Sequence, residues 1–204
     1  MSPLDVSTAA IVAAAARIDG AHPDQLAARF QAAIAAGADA AWLDELVLMA
    51  VLFAGFPKAL VAAAALRSVV PRHGNVGDAA SYDQWESWRS RGEATCRIVY
   101  GERYDMLRRN VAALHPALDA WVVMDGYGRT ISRPELDLKR RELCAIAILV
   151  PQGVPRQLHS HLRGALNAGA SREEVGAAMD IALAESGASP ELANTARTLW
   201  ESLA

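Results

Sequence analysis

The chain of 204 residues contains one helical unit twice. Residues 10–55 can be set against 142–187 at a constant shift of 132 with no gap. Pro23 then falls on Pro155, Gln25 on Gln157, Leu26 on Leu158, Ala36-Gly37-Ala38 on Ala168-Gly169-Ala170, and Gly55 on Gly187. A recurring unit of this length cannot bury its apolar face alone, so the copies are expected to pack on each other. The copies differ where chemistry is concerned: Glu142 faces Ala10, and His161 faces Arg29. The asymmetry predicts one working site and one retired copy.

Alanine is abundant, apolar residues recur at helical spacing, and strand-like alternation is almost absent, so the fold class is all-α. Helices are predicted over 6–18, 23–36, 40–54 and 57–68 in the first copy, and over 137–150, 155–168, 172–186 and 189–202 in the second. Pro23 opens one helix, with His22 or Ala21 before it, and Gly37 closes it. Ser171 with Glu174 reads as a capping box. Ser189-Pro190-Glu191 is another N-terminal signature. A linker from Pro71 to Ser81 is rich in Gly, Asn and Asp. A helical insert over 82–123 carries Trp85, Trp88, Tyr100, Tyr104 and Trp121, aromatics suited to a core or an interface. Asp125-Gly126-Tyr127-Gly128 reads as a second break. The expected organisation is a degenerate repeat over 1–70, a linker and helical insert over 71–124, and a complete repeat over 125–204.

A hydrophobic content of 52% with 21% charge excludes a disordered chain. A net charge of −3 and a pI near 5.9 argue against a nucleic-acid partner, which would favour a basic face. The N-terminus MSPLDVSTAA has no basic region and carries Asp5, so a cytoplasmic setting is expected. Residues 46–66 are the most membrane-like stretch. Gly55, Pro57 and Lys58 interrupt it, and two buried helices around a turn are expected instead of a membrane span. The helix over 43–54 is apolar almost all round, which predicts burial on every side and hence a homo-oligomer. Cys96 and Cys144 make no CxxC and no metal-ligand spacing; they read as small hydrophobes in a reducing compartment.

Glu142 stands at the edge of an apolar helix, Leu143 to Ile148, where a carboxylate needs a partner. His161 lies on the next helix, across a short break around Gln152-Gly153. Counted outward from that turn, the two residues reach similar heights on an antiparallel hairpin and can face each other. A Glu–His pair of this kind can transfer protons near neutral pH, the carboxylate fixing the imidazole tautomer. The same spacing also fits a structural Glu–His or Glu–Arg contact on helix surfaces. His159 cannot join His161 in one pocket, because residues two apart on a helix point about 200° apart. No ligand cluster for a metal appears. His22, His73 and His115 read as loop or capping residues.

The run SRPELDLKRRELCAIAILV, followed by QLHSHLRGALNAGASREEVGAAM, resembles the carboxymuconolactone decarboxylase family, which shares its fold with the alkylhydroperoxidase AhpD. The resemblance covers roughly 125–203, with a degenerate version at about 8–68. It implies an all-α fold of antiparallel helices assembling into trimers or hexamers, and the duplication then suggests a homotrimer resembling a hexamer of single units. It also implies that Glu142 and His161, 19 residues apart, occupy the proton-relay positions. The peroxidase branch needs two cysteines between them, and here those positions hold Val154 and Gln157. A peroxide or thiol oxidoreductase using Cys144 or Cys96 is therefore the lesser alternative, and a non-catalytic oligomeric binding protein a third. The decarboxylase branch implies loss of CO2 from a small carboxylated lactone in aromatic catabolism, without cofactor or metal. Arg133 and Arg163 would anchor the substrate carboxylates if they are not surface salt bridges, with Tyr127 as a further substrate contact.

Overall fold

The computed structural model describes residues 3–71 and 82–203. The linker expected over 71–81 therefore falls outside the described residues except for Pro71, and His73 falls outside with it. Among the described residues every regular element is helical: α1 (Val6–Arg17), α2 (Pro23–Ala35), α3 (Ala40–Val69), α4 (Trp85–Tyr100), α5 (Tyr104–Leu114), α6 (Pro116–Trp121), α7 (Leu138–Leu149), α8 (Pro155–Asn167), α9 (Arg172–Ser186) and α10 (Pro190–Glu201). The chain divides into two compact units, one of residues 1–73 with 135–204, the other of 74–134.

In the first unit the offset of 132 recurs in the helix bounds. α1 and α7 begin at Val6 and Leu138, α2 and α8 at Pro23 and Pro155, α3 and α9 at Ala40 and Arg172. Gly55 and Gly187 follow the shared stretch with positive φ, 77° and 66°. Gly55 breaks α3 in two, as the sequence predicts, and Pro57 opens its second segment. Ala40–Val69 is thus long and apolar enough to cross a membrane by composition, but it is not one straight helix.

Caps start these helices where the sequence places polar residues. Asp5 accepts from the Thr8 N–H and Asp137 from the Arg140 N–H, at equivalent positions of the two halves. His22 with Gln25, and Ser171 with Glu174, form capping boxes. The centre of the unit is α1 and α7. α1 packs on α2, α7 and α9, and α7 packs on α3, α8 and α9 as well. Every residue from Arg141 to Leu149 is buried. Leu143, Ile146 and Ile148 are fully enclosed, each worth roughly 1.5–3 kcal/mol of apolar transfer. Where the halves meet, the Arg140 guanidinium donates to the Thr8 hydroxyl at 2.8 Å, a contact between equivalent positions. Arg141, also fully enclosed, reaches Glu45 at 2.9 Å and donates to the Leu136 carbonyl.

Burial of the 43–54 helix on every side is not met within one chain. Leu48 is 44% and Leu52 38% exposed. Phe56 and Leu60, beyond the break at Gly55, are exposed as well.

In the second unit α4 packs along a wide π-helical stretch, Val122–Ile131. The run Asp125 to Gly128, expected as a break, lies inside it. The glycines there serve close approach. A Cβ at Gly92 would stand 2.0 Å from the Val123 carbonyl oxygen, and one at Gly128 1.9 Å from that of Trp88. Of the insert aromatics, Trp88 and Tyr104 are buried, while Trp85 and Trp121 stay exposed.

Candidate active site

The expected pair is formed. His161 Nδ1 lies 2.8 Å from Glu142 Oε2. α7 carries Glu142, and α8 returns antiparallel to it through the turn Val150–Gln152. Glu142 is 1% exposed and His161 8%, so both polar groups satisfy each other away from bulk water. The carboxylate accepts, so Nδ1 carries the proton and Nε2 is the nitrogen left for exchange. Nε2 has no hydrogen-bond partner among the described residues.

The other half of the unit supplies a third member. The Phe53 ring stands edge-on to the His161 ring, with centroids 5.0 Å apart and planes at 82°. Gln152 donates its Nε2 to the Phe53 carbonyl at 2.8 Å. Sequence reasoning missed both. The signal was present: at the offset of 132, Phe53 faces Glu185 and Gln152 faces Gly20, positions where the halves differ.

Residues 116–199 match the sequence model of the carboxymuconolactone decarboxylase family. This segment belongs to the carboxymuconolactone decarboxylase family. Its span holds both Glu142 and His161. Two curated relatives are similar over part of their length. "Peroxisomal protein 2" of Schizosaccharomyces pombe is 38% identical over 96 residues, covering 46% of this chain and 44% of the relative. "Peroxisomal protein 2" of Saccharomyces cerevisiae is 34% identical over 86 residues, covering 42% of this chain and 30% of the relative. This chain therefore matches less than half the length of either.

Inside the decarboxylase-family segment the remaining predicted residues are scattered. Arg163 lies on α8, two residues after His161, which puts it about 200° round the helix. Its Nε is buried with no hydrogen-bond partner among the described residues. Tyr127 and Arg133 belong to the 74–134 unit. There Tyr127 is buried and packs edge-on against Tyr100. His22 and His115 are helix caps, their Nδ1 atoms accepting from Asp24 and Ala117. No group of three metal-ligating side chains occurs among the described residues.

The cysteines are placed poorly for redox work. Cys96 and Cys144 are both buried and neither is in a disulfide. Burial pushes the Cys144 thiol up to about 12, outweighing the nearby Arg141 and Arg140. At neutral pH it is a thiol, and the thiolate is the nucleophile.

Proposed function

We propose that the protein is a cofactor-free lyase of the carboxymuconolactone decarboxylase type, with His161 as acid/base and Glu142 orienting it. The observation that carries this reading is the buried Nδ1–Oε2 contact of 2.8 Å inside the family segment, with Val154 and Gln157 where the peroxidase branch has thiols. The substrate class is a small carboxylated lactone or a related acid. In the reaction the C–C bond to the departing carboxylate breaks and CO2 leaves. The electron pair passes into the conjugated lactone as an enolate. The imidazolium of His161 then protonates the enolate at carbon and regains its proton from water. Arg163 is the proposed substrate contact in the unit that carries the pair; Arg133 and Tyr127, expected as further contacts, belong to the 74–134 unit. For Arg163 the support is its buried, unpartnered Nε, a donor suited to a carboxylate.

Self-association belongs to the same proposal. The exposed Leu48, Leu52, Phe56 and Leu60 on the two segments of α3 suit a second copy of the chain, in line with the homotrimer expected from the duplication.

The test is CO2 release from a 4-carboxymuconolactone-type substrate by the intact chain and by His161→Ala. Release by the wild type alone is expected. No release by either removes the lyase assignment for that substrate, and equal rates remove His161 as the acid/base.

A further inference from the structure

The Phe53 carbonyl loses its helical donor for a reason written in the sequence. The residue four positions on is Pro57, which has no N–H, and the backbone leaves the helix at Gly55. Gln152 supplies the missing donor at 2.8 Å. It does so from the turn that joins the Glu142 helix to the His161 helix. One connected path thus runs from that turn, through the Phe53 backbone and ring, to the His161 imidazole and on to the Glu142 carboxylate.

A hydrogen bond at Nδ1 holds one edge of an imidazole but lets the ring pivot about that bond. An aromatic ring with its centroid 5.0 Å away and its plane at 82° to the imidazole blocks the pivot from the side. We propose that Phe53 and Gln152 are positioning residues: together they hold the His161 ring so that Nδ1 stays on Glu142 while Nε2 faces the reactant. This rests on the reading of Glu142 and His161 as a proton-transfer pair. The places equivalent by the offset of 132 lack the device as a set, with Glu185 for Phe53, Gly20 for Gln152, Arg29 for His161 and Ala10 for Glu142. Phe53 and Gln152 thus accompany the catalytic pair instead of recurring with the shared helical frame.

The experiment is imidazole NMR on the intact chain labelled with 15N-histidine, with His161→Gln assigning the signal. The wild type should show a single Nδ1–H tautomer whose proton exchanges slowly. Phe53→Leu keeps the apolar bulk and loses the ring. Gln152→Glu keeps the length and loses the donor. Each is expected to speed that exchange about tenfold and to mix the tautomers, with helix content unchanged by circular dichroism. Phe53→Tyr, which restores a ring, should return exchange to the wild-type rate. Wild-type exchange and a single tautomer in both Phe53→Leu and Gln152→Glu would overturn the proposal, whatever happens to Tm. The readout needs no substrate. A chain whose ring loosens as expected but which releases no CO2 keeps the positioning role and loses the lyase reading. A chain that turns substrate over while both variants keep the tautomer does the reverse.

Discussion

Two places 132 residues apart share a helical frame and hold opposite chemistry. At one, His161 on α8 meets Glu142 and the ring of Phe53. At the other, Arg29 on α2 meets Glu185 at 2.7 Å, and Arg17 joins the same carboxylate at 3.1 Å. Arg29 stands where His161 does, and Glu185 where Phe53 does. In both places a side chain of the α2/α8 pair touches one from the opposite half. The frame therefore delivers the same meeting point twice, and side-chain identity decides what happens there. A guanidinium stays charged across the physiological range, so Arg29 cannot exchange protons as an imidazole can. The Arg17–Glu185–Arg29 cluster can bind the halves together, and the Glu142–His161 pair can in addition do acid/base work.

The largest effect that would sharpen this contrast is on turnover. Under the proposed lyase function, His161→Ala should lower turnover of the lactone by about 10²–10⁴-fold, the usual contribution of a positioned general acid. Arg29→Ala should leave the rate within about twofold of wild type, because no proton passes through it. Steady-state kinetics on both variants decides the matter. A comparable loss in Arg29→Ala would abolish the distinction between a working and a retired half.

Much of the frame was legible because its signals are local. Pro23, Gly37, Ser171 with Glu174, and Gly55 each fix a helix end by chemistry within four residues. The Glu142–His161 contact was reachable by counting outward from one turn. What failed needed distant neighbours. Asp125 to Gly128 reads as a break, yet its glycine serves α4 by letting two backbones approach, which composition alone does not reveal. Phe53 and Gln152 enter the site from segments 99 residues apart.

The next effect is on stability and should not respect the division between the halves. Glu45 on α3 holds Arg141 on α7, with 2% and 0% exposure. Glu45→Ala leaves the guanidinium without that carboxylate and should cost about 3–5 kcal/mol. Chemical denaturation followed by circular dichroism measures it. A cost below about 1 kcal/mol would mean that the pair does not bind α3 to α7.

Smaller effects are expected where the halves agree. Asp5 and Asp137 cap α1 and α7 in the same way, and either change to Ala should cost about 1 kcal/mol. Burial works against both carboxylates. At Asp5 the bonds from Ser7, Thr8 and Arg140 outweigh it, and at Asp137 those from Arg140 do, so both pKa values lie below the ordinary 3.8. A depressed folded pKa gives stability that is present above the unfolded value and lost as pH falls through the folded one. Tm should therefore decline as pH drops below about 4. Asp5→Asn with Asp137→Asn should flatten that decline, and an unchanged slope would show that other carboxylates carry it.

The smallest effect bears most directly on the contrast. Glu185 is 18% exposed, and its partners Arg17 and Arg29 are 31% and 38% exposed. Water screens such a cluster, so Glu185→Gln should cost at most about 1 kcal/mol, and less at high salt. The substitution keeps the size and removes the charge that two arginines share. Turnover and the His161 tautomer should both stay at wild-type values, because the cluster shares no side chain with Glu142, Phe53 or Gln152. A measurable change in the His161 signal would mean that charge at one of the two places is felt at the other. The two places would then be coupled members of one site, with Arg29 acting at a distance on the imidazole it replaces in the frame.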